Sequence, residues 1–161
     1  MILTHTKAEA ILQSITNATK KLESLDALMH GIIQTLAKEM SHYNWIGFYM
    51  LSKDDPAILE LGPYFGAPTP HTRIALNQGI CGAAVSQRKT IVVDDVHADT
   101  RYLACSIETK SEIVAPIFVH GEVVGELDID SHATAAFGSE DRTLVEGCAA
   151  IVGNFLKAGP Q

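Results

Sequence analysis

Two strand-like runs joined by a two-residue turn constrain the fold of this chain more than any other stretch. Ser111 to Val119 is rich in Ile, Val and Phe, and Glu122 to Asp130 alternates apolar with polar residues. His120-Gly121 separates the two runs, and a short turn that contains glycine is typical of a β-hairpin. The stretch therefore predicts two antiparallel strands at the centre of a sheet.

The second run of the hairpin is expected to have an apolar face and an acidic face, because side chains two apart on a strand point the same way. The apolar face would hold Val123, Gly125, Leu127 and Ile129. The acidic face would hold Glu126, Asp128 and Asp130. Such a strip is either the solvated side of a half-exposed sheet or a functional cluster of carboxyl groups.

Glu112 in the first run joins the acidic strip only if the strands pair in the right register. Counting outward from a two-residue turn places Glu112 opposite Ile129, which is on the apolar face. A bulge near Pro116 or Gly125, or a three-residue loop, would move Glu112 to the acidic face, since both residue types mark bulges in strands. We therefore predict one of these irregularities.

Composition limits the class of protein. The 161 residues are 47% hydrophobic, which fits one globular domain over residues 1–161, and the net charge of −7 disfavours nucleic acid or an anionic membrane as a partner. No apolar run reaches the length of a signal peptide or a membrane span, which favours a cytoplasmic protein. The three cysteines are odd in number and include no CxxC pair, so we expect neither a disulfide framework nor a zinc site.

The remaining elements follow from periodicity. Residues 1–43 have apolar residues at helical spacing and predict an amphipathic pair of helices. Further strands are expected at Asn44 to Leu51, Ala57 to Tyr64, Arg73 to Leu76 and Thr90 to Val93, and a final helix at Ser139 to Leu156. In the first of these strands, Trp45, Gly47, Tyr49 and Leu51 would share one face and Ile46, Phe48 and Met50 the other.

The three cysteines have different settings. Cys81 follows a glycine turn at the start of a short helix, where the dipole favours a thiolate, although a small buried cysteine fits the pattern equally well. Cys105 lies in the long polar segment Asp94 to Lys110 and is expected to be exposed, because such segments are often binding loops. Cys148 lies among apolar residues of the final helix and is expected to be inert core.

Several motifs together resemble the GAF domain family. They are NWIGFY, LGPYFG, GICGAAV, DDVHADTRYLAC, SEIVAP and LDIDS, and they span roughly residues 44–152. The resemblance implies an α+β fold: a central antiparallel sheet with the N- and C-terminal helices on one face and a ligand pocket on the other. Six residues are similar to those of one subgroup, the free methionine-(R)-sulfoxide reductases: Trp45, Cys81, Cys105, Glu112, Asp128 and Asp130.

The resemblance implies a role for each of these residues. Cys105 would attack the sulfoxide sulfur and become a sulfenic acid, and a second thiol would then form a disulfide that thioredoxin reduces. Trp45 and Tyr49 would form the apolar wall of the substrate site. Glu112, Asp128 and Asp130 would bind the substrate's ammonium group, and at least one of them would keep its proton and donate it to the sulfoxide oxygen. The family further implies a homodimer with no bound cofactor or metal.

The chain departs from the subgroup at one position. Typical members carry a further cysteine ten residues before the one that matches Cys81, and this chain has His71 there. That cysteine usually resolves the sulfenic acid. Three possibilities follow: Cys81 resolves Cys105 directly, an external thiol does so, or the chain is a non-catalytic small-molecule-binding or sensor module.

Overall fold

Six antiparallel strands form one sheet in the part of the chain that the structure describes, residues 2–104 and 106–159 of a computed structural model. The strands are β1 (Trp45–Leu51), β2 (Ile58–Phe65), β3 (Arg73–Ala75), β4 (Ile91–Val93), β5 (Ser111–Val119) and β6 (Glu122–Ser131). They lie in the order β3-β2-β1-β6-β5-β4. The predicted hairpin is therefore β5-β6, and β6 lies beside β1 at the centre of the sheet.

Four α-helices accompany the sheet within the same described ranges: α1 (His5–Thr19), α2 (Leu25–Glu39), α3 (Gly79–Gln87) and α4 (Ser139–Ala158). The first two begin at hydroxyl N-caps, because Thr4 accepts a hydrogen bond from the Lys7 amide and Ser24 accepts one from the Ala27 amide. α1, α2 and α4 bury their apolar sides in one core against one face of the sheet. α3 packs on the opposite face with a second apolar cluster. This arrangement confirms the predicted fold class.

Alternation along β1 divides its side chains between the two faces as predicted. Ile46 and Phe48 lie in the core under α1, α2 and α4, whereas Tyr49 lies in the cluster under α3 and Trp45 packs against that cluster. The strand bounds predicted from sequence agree with the observed bounds to within one residue at each end. No helix in the described ranges has the length and apolar character to cross a membrane.

The β5-β6 hairpin has the predicted irregularity. His120 and Gly121 have φ angles of 50° and 78°, so both adopt the left-handed conformation of a two-residue type I′ turn. Phe118 pairs with Val123, but the preceding Ile117 pairs with Gly125, which leaves Val124 as an extra residue. This bulge lies beside Gly125, one of the two predicted places.

The bulge changes which side chains share a face. Beyond it, Glu112 lies opposite Asp130, as the predicted acid cluster requires. On the turn side of the bulge, Val124 packs on the helical core, while Val123 packs on the cluster under α3. The prediction that Val123 shares a face with Leu127 was wrong, because the extra residue reverses the alternation between them.

Candidate functional site

The predicted acid strip is buried. Glu112, Asp128 and Asp130 are 5%, 3% and 3% exposed, and they lie on the face of the sheet opposite the three long helices. α3 packs over β5 and β6 and covers this part of the face. The alternative interpretation, a solvated polar side of a half-exposed sheet, is therefore wrong. Since carboxyl groups are rarely buried without a structural or functional reason, the strip is a candidate site.

Cys81 lies directly against the acid strip. It is the third residue of α3, and its thiol donates a hydrogen bond to Asp128 Oδ2 over 3.4 Å. Tyr49, Glu112 and Asp128 line a small pocket with Cys81, which leaves about 10 Å³ free, the space of about one water molecule. The structure thus brings four of the predicted site residues around one enclosed point.

Trp45 and Asp130 line a second and larger cleft. It has a volume of about 150 Å³, and its lining also includes Ala67, Pro68, Thr69, Ser106, Glu108 and Thr109. The Trp45 indole donates a hydrogen bond from Nε1 to the Ala67 carbonyl over 3.0 Å and stacks on Tyr64 with 5.6 Å between ring centroids. Asp128 and Asp130 are two apart on the same face of β6, so the cleft and the small pocket are adjacent.

Comparison with known proteins agrees with this geometry. The GAF domain model matches residues 24–156. The free methionine-R-sulfoxide reductase of Escherichia coli is 33% identical over 132 residues, which are 82% of this chain and 73% of that protein. The chain belongs to the GAF domain family, in its free methionine-R-sulfoxide reductase subgroup.

Two further proteins show how far this similarity extends. The structure of the free methionine-R-sulfoxide reductase of Neisseria meningitidis in complex with its substrate has a TM-score of 0.89 and 29% identity, covering 96% of this chain and 90% of that one. A GAF domain-containing protein of Dictyostelium discoideum is 38% identical over 104 residues. The match spans 65% of this chain and 64% of the Dictyostelium protein.

Burial determines the protonation of the acid strip. Removal from water raises the pKa of Asp128 to about 6, and burial together with the neighbouring Asp128 charge raises the pKa of Asp130 well above its usual range. Asp128 also interacts with Glu112 through a side-chain hydrogen bond. Both shifts have the direction that an acid protonated near neutral pH requires.

Of the two alternatives for Cys81, the structure shows the small buried cysteine and not the thiolate at a helix start. Burial and the Asp128 carboxyl raise the pKa of the Cys81 thiol well above its usual value. The thiol is buried, and the carboxyl groups beside it oppose a second negative charge more strongly than the helix dipole favours one. In this structure Cys81 is therefore a protonated thiol.

The structure tests the prediction for only one of the other two cysteines. Cys105, the predicted nucleophile, lies outside the described residues. Cys148 is completely buried in the core of the long helices, and burial raises the pKa of its thiol to about 12, as expected for an inert core residue.

His71 makes contacts that its sequence did not predict. Its Nε2 lies 2.8 Å from the carbonyl oxygen of Ala104, so Nε2 carries the proton and donates it. Its own carbonyl accepts a hydrogen bond from the Tyr49 hydroxyl over 2.7 Å. The residue at the position of the usual cysteine therefore joins a wall of the small pocket to the segment that contains residue 105.

Glu126 is the residue of the strip to which the sequence assigned no role. It is completely buried, and its two carboxyl oxygens have no hydrogen-bond partner in the described structure. The sequence signal for it was present, since it continues the alternation of Asp128 and Asp130 toward the turn. What the sequence could not show is that α3 covers the strip and places the Cys81 thiol beside Glu126.

In the described ranges, one group of side chains brings three possible metal-ligand atoms close together. Ligand atoms of Cys81, Glu112 and Asp128 lie within 4.8 Å of one another. The thiol and the carboxyl groups already share hydrogen bonds with one another, and little free space remains beside them. That the site works without a metal or bound cofactor stays a prediction.

Proposed function

We propose that this protein reduces free methionine-(R)-sulfoxide to methionine. The observation that carries the proposal most directly is the register of the central hairpin, which puts Glu112 and Asp130 opposite each other on a buried face and Asp128 against the Cys81 thiol. A small substrate with an ammonium group and a polar sulfoxide oxygen suits such a face. The E. coli and Neisseria relatives bear the name of this activity.

Different residues of the chain bind different parts of the substrate. The Trp45 indole, exposed to the larger cleft, offers an apolar and polarisable surface for the methyl-sulfur end of the substrate. Tyr49 closes the inner side of the site. The ionised carboxylates bind the ammonium group, and a protonated acid donates a hydrogen bond to the sulfoxide oxygen, which makes the sulfur a better electrophile.

Chemistry begins at Cys105. Its thiol attacks the sulfoxide sulfur, the oxygen passes to the cysteine sulfur, and the products are methionine and a sulfenic acid on Cys105. Cys81 then attacks that sulfenic acid; an S–S bond forms, the S–O bond breaks, and the oxygen leaves as water. An external dithiol, thioredoxin, reduces the disulfide and restores both thiols. We further propose a cytoplasmic homodimer.

A thioredoxin assay coupled to NADPH oxidation tests the proposal. We expect turnover of free methionine-R-sulfoxide and none of the S epimer or of a peptide-bound R sulfoxide. Saturable binding of the R epimer without turnover would instead identify a non-catalytic GAF ligand-binding module. Equal turnover of the free and the peptide-bound sulfoxide would contradict the assigned substrate class.

A further inference from the structure

Glu126 is a buried acid that the proposed reaction does not use. Its side chain is completely removed from water, and neither carboxyl oxygen has a hydrogen-bond partner in the described structure. A buried polar group without a partner costs stability, so its presence calls for an explanation.

The surroundings of Glu126 determine its charge. The titratable groups around it are Tyr49 opposite it on β1, Asp128 next along β6 and Cys81 on α3. None of these is a cation, and no Lys, Arg or His in the described ranges forms an ion pair with Glu126. An ionised carboxylate in this position would be a buried and unpaired charge, which is far more costly than a neutral acid.

A neutral carboxylic acid can donate a hydrogen bond, whereas a carboxylate cannot. The Glu126 carboxyl lies beside the Cys81 sulfur, close enough to interact with the thiol although the pair does not have the geometry of a hydrogen bond. The single proton of that thiol points to Asp128, so the sulfur has an acidic group on each of two sides. The two groups differ in whether they accept or donate a hydrogen bond. Asp128 can accept the thiol proton, and neutral Glu126 can donate to the sulfur that remains.

We infer that Glu126 is the hydrogen-bond donor that stabilises the Cys81 sulfur as its proton leaves for Asp128. The inference deepens the proposed function, since Cys81 needs this activation when it attacks the sulfenic acid. In that step the thiol proton moves to Asp128 Oδ2, the Cys81 sulfur forms the S–S bond, and the Glu126 O–H holds the developing negative charge on sulfur. The departing hydroxide takes up the proton as water.

Two substitutions separate this role from a structural one. Glu126→Leu keeps a similar volume but removes the donor, and Glu126→Gln keeps a neutral donor. Both are made in a Cys105→Ser, Cys148→Ala background in which Cys81 is the only cysteine. The rate of reaction with methyl methanethiosulfonate at pH 7 reports the reactivity of the Cys81 thiol and needs no sulfoxide turnover.

We expect Glu126→Leu to slow this reaction about ten-fold or more and Glu126→Gln to stay within about three-fold of the parent, because a hydrogen bond to a charged acceptor has that strength. Urea unfolding of the same proteins should show that Glu126→Leu is at least as stable as the parent, since an unpaired polar group has been removed. An equal or faster reaction in Glu126→Leu would overturn the inference, and so would rates that follow only the unfolding free energies.

Infrared spectroscopy tests the protonation state independently. The difference spectrum between the parent and Glu126→Gln at pH 7 should contain the carbonyl band of a protonated carboxylic acid. A carboxylate band in its place would refute the inference. Neither measurement depends on sulfoxide reduction, so a failure of this inference is distinguishable from a failure of the proposed reductase activity.

Discussion

Gly47 gives the sharpest test of the role of Trp45. An alanine methyl at position 47 would lie 2.2 Å from Cη2 and 2.5 Å from Cζ3 of the Trp45 ring. Ordinary contacts of a Cβ begin at 3.4 Å, so the indole must move by about 1 Å or more. The backbone at Gly47 is not in the left-handed region, so the strain falls on the indole and not on the strand.

The cost follows from the contacts that the indole would lose. The hydrogen bond from Nε1 to Ala67 contributes about 1 kcal/mol, and the stack on Tyr64 contributes about 0.5–1.5 kcal/mol. We therefore expect Gly47→Ala to destabilise the fold by about 2 kcal/mol. Because the indole is the proposed wall for the methyl-sulfur group, the KM for the sulfoxide should rise by about ten-fold, the factor that corresponds to 1.4 kcal/mol.

Trp45 is the only tryptophan in the chain, so its fluorescence reports on this site alone. We expect a shifted emission maximum in Gly47→Ala together with the increase in KM. Gly62→Ala is the matched control on the neighbouring strand, because its methyl would meet other atoms only at 3.4 Å and 3.8 Å. Unchanged emission and unchanged KM in Gly47→Ala would refute the reasoning.

The remaining predictions concern the thiols and the buried acids. Cys105→Ser should abolish sulfoxide reduction and Cys148→Ala should preserve it; full activity in the first variant would eliminate the proposed nucleophile. Cys81→Ser should release about one methionine per site, measured by rapid quench, and then recycle slowly with thioredoxin; undiminished recycling would mean that Cys81 is not the resolving thiol. Adding His71→Cys to Cys81→Ser should restore recycling, since His71 contacts the residue before Cys105. The folded protein raises the pKa of Asp128 from 3.8 to about 6, so this acid stabilises the fold below pH 4 and that contribution is lost as pH rises to 6. Urea titrations should show a smaller decline over this range in Asp128→Asn, and an identical decline would contradict the assignment.

The strands and helices could be predicted well from the sequence, because each depends on the spacing of apolar residues along a short stretch of the chain. The apolar periodicity that predicted α1 and α2, and the Ile- and Val-rich runs of the hairpin, are the same residues that form the two cores. The bulge was predictable for a different reason. It was the condition under which Glu112 and Asp130 could meet, and the glycine beside it was already visible.

Other features depend on contacts between distant segments, and sequence could not supply them. The sequence left two interpretations of Cys81 open, a thiolate and a small buried thiol, because its position in a helix was visible but the carboxyl groups of β6 beside it were not. The burial of the acid strip required knowing that α3 returns over the sheet. The contact of His71 with Ala104 joins residues that are 33 apart in the chain, and no periodicity predicts it.

The bulge at Val124 makes the acid cluster depend on the number of residues in the hairpin as well as on their identity. Deletion of one β5 residue between Glu112 and the turn, such as Phe118, would shift the pairing by one, place Glu112 opposite Ile129 and turn it toward the helical core, although every acid would still be present in the chain. Along β5 and β6, substitutions should therefore have graded effects, while a single-residue insertion or deletion that shifts the pairing of Glu112 should abolish the acid cluster outright. Natural length variation in this family should accordingly be concentrated outside the hairpin.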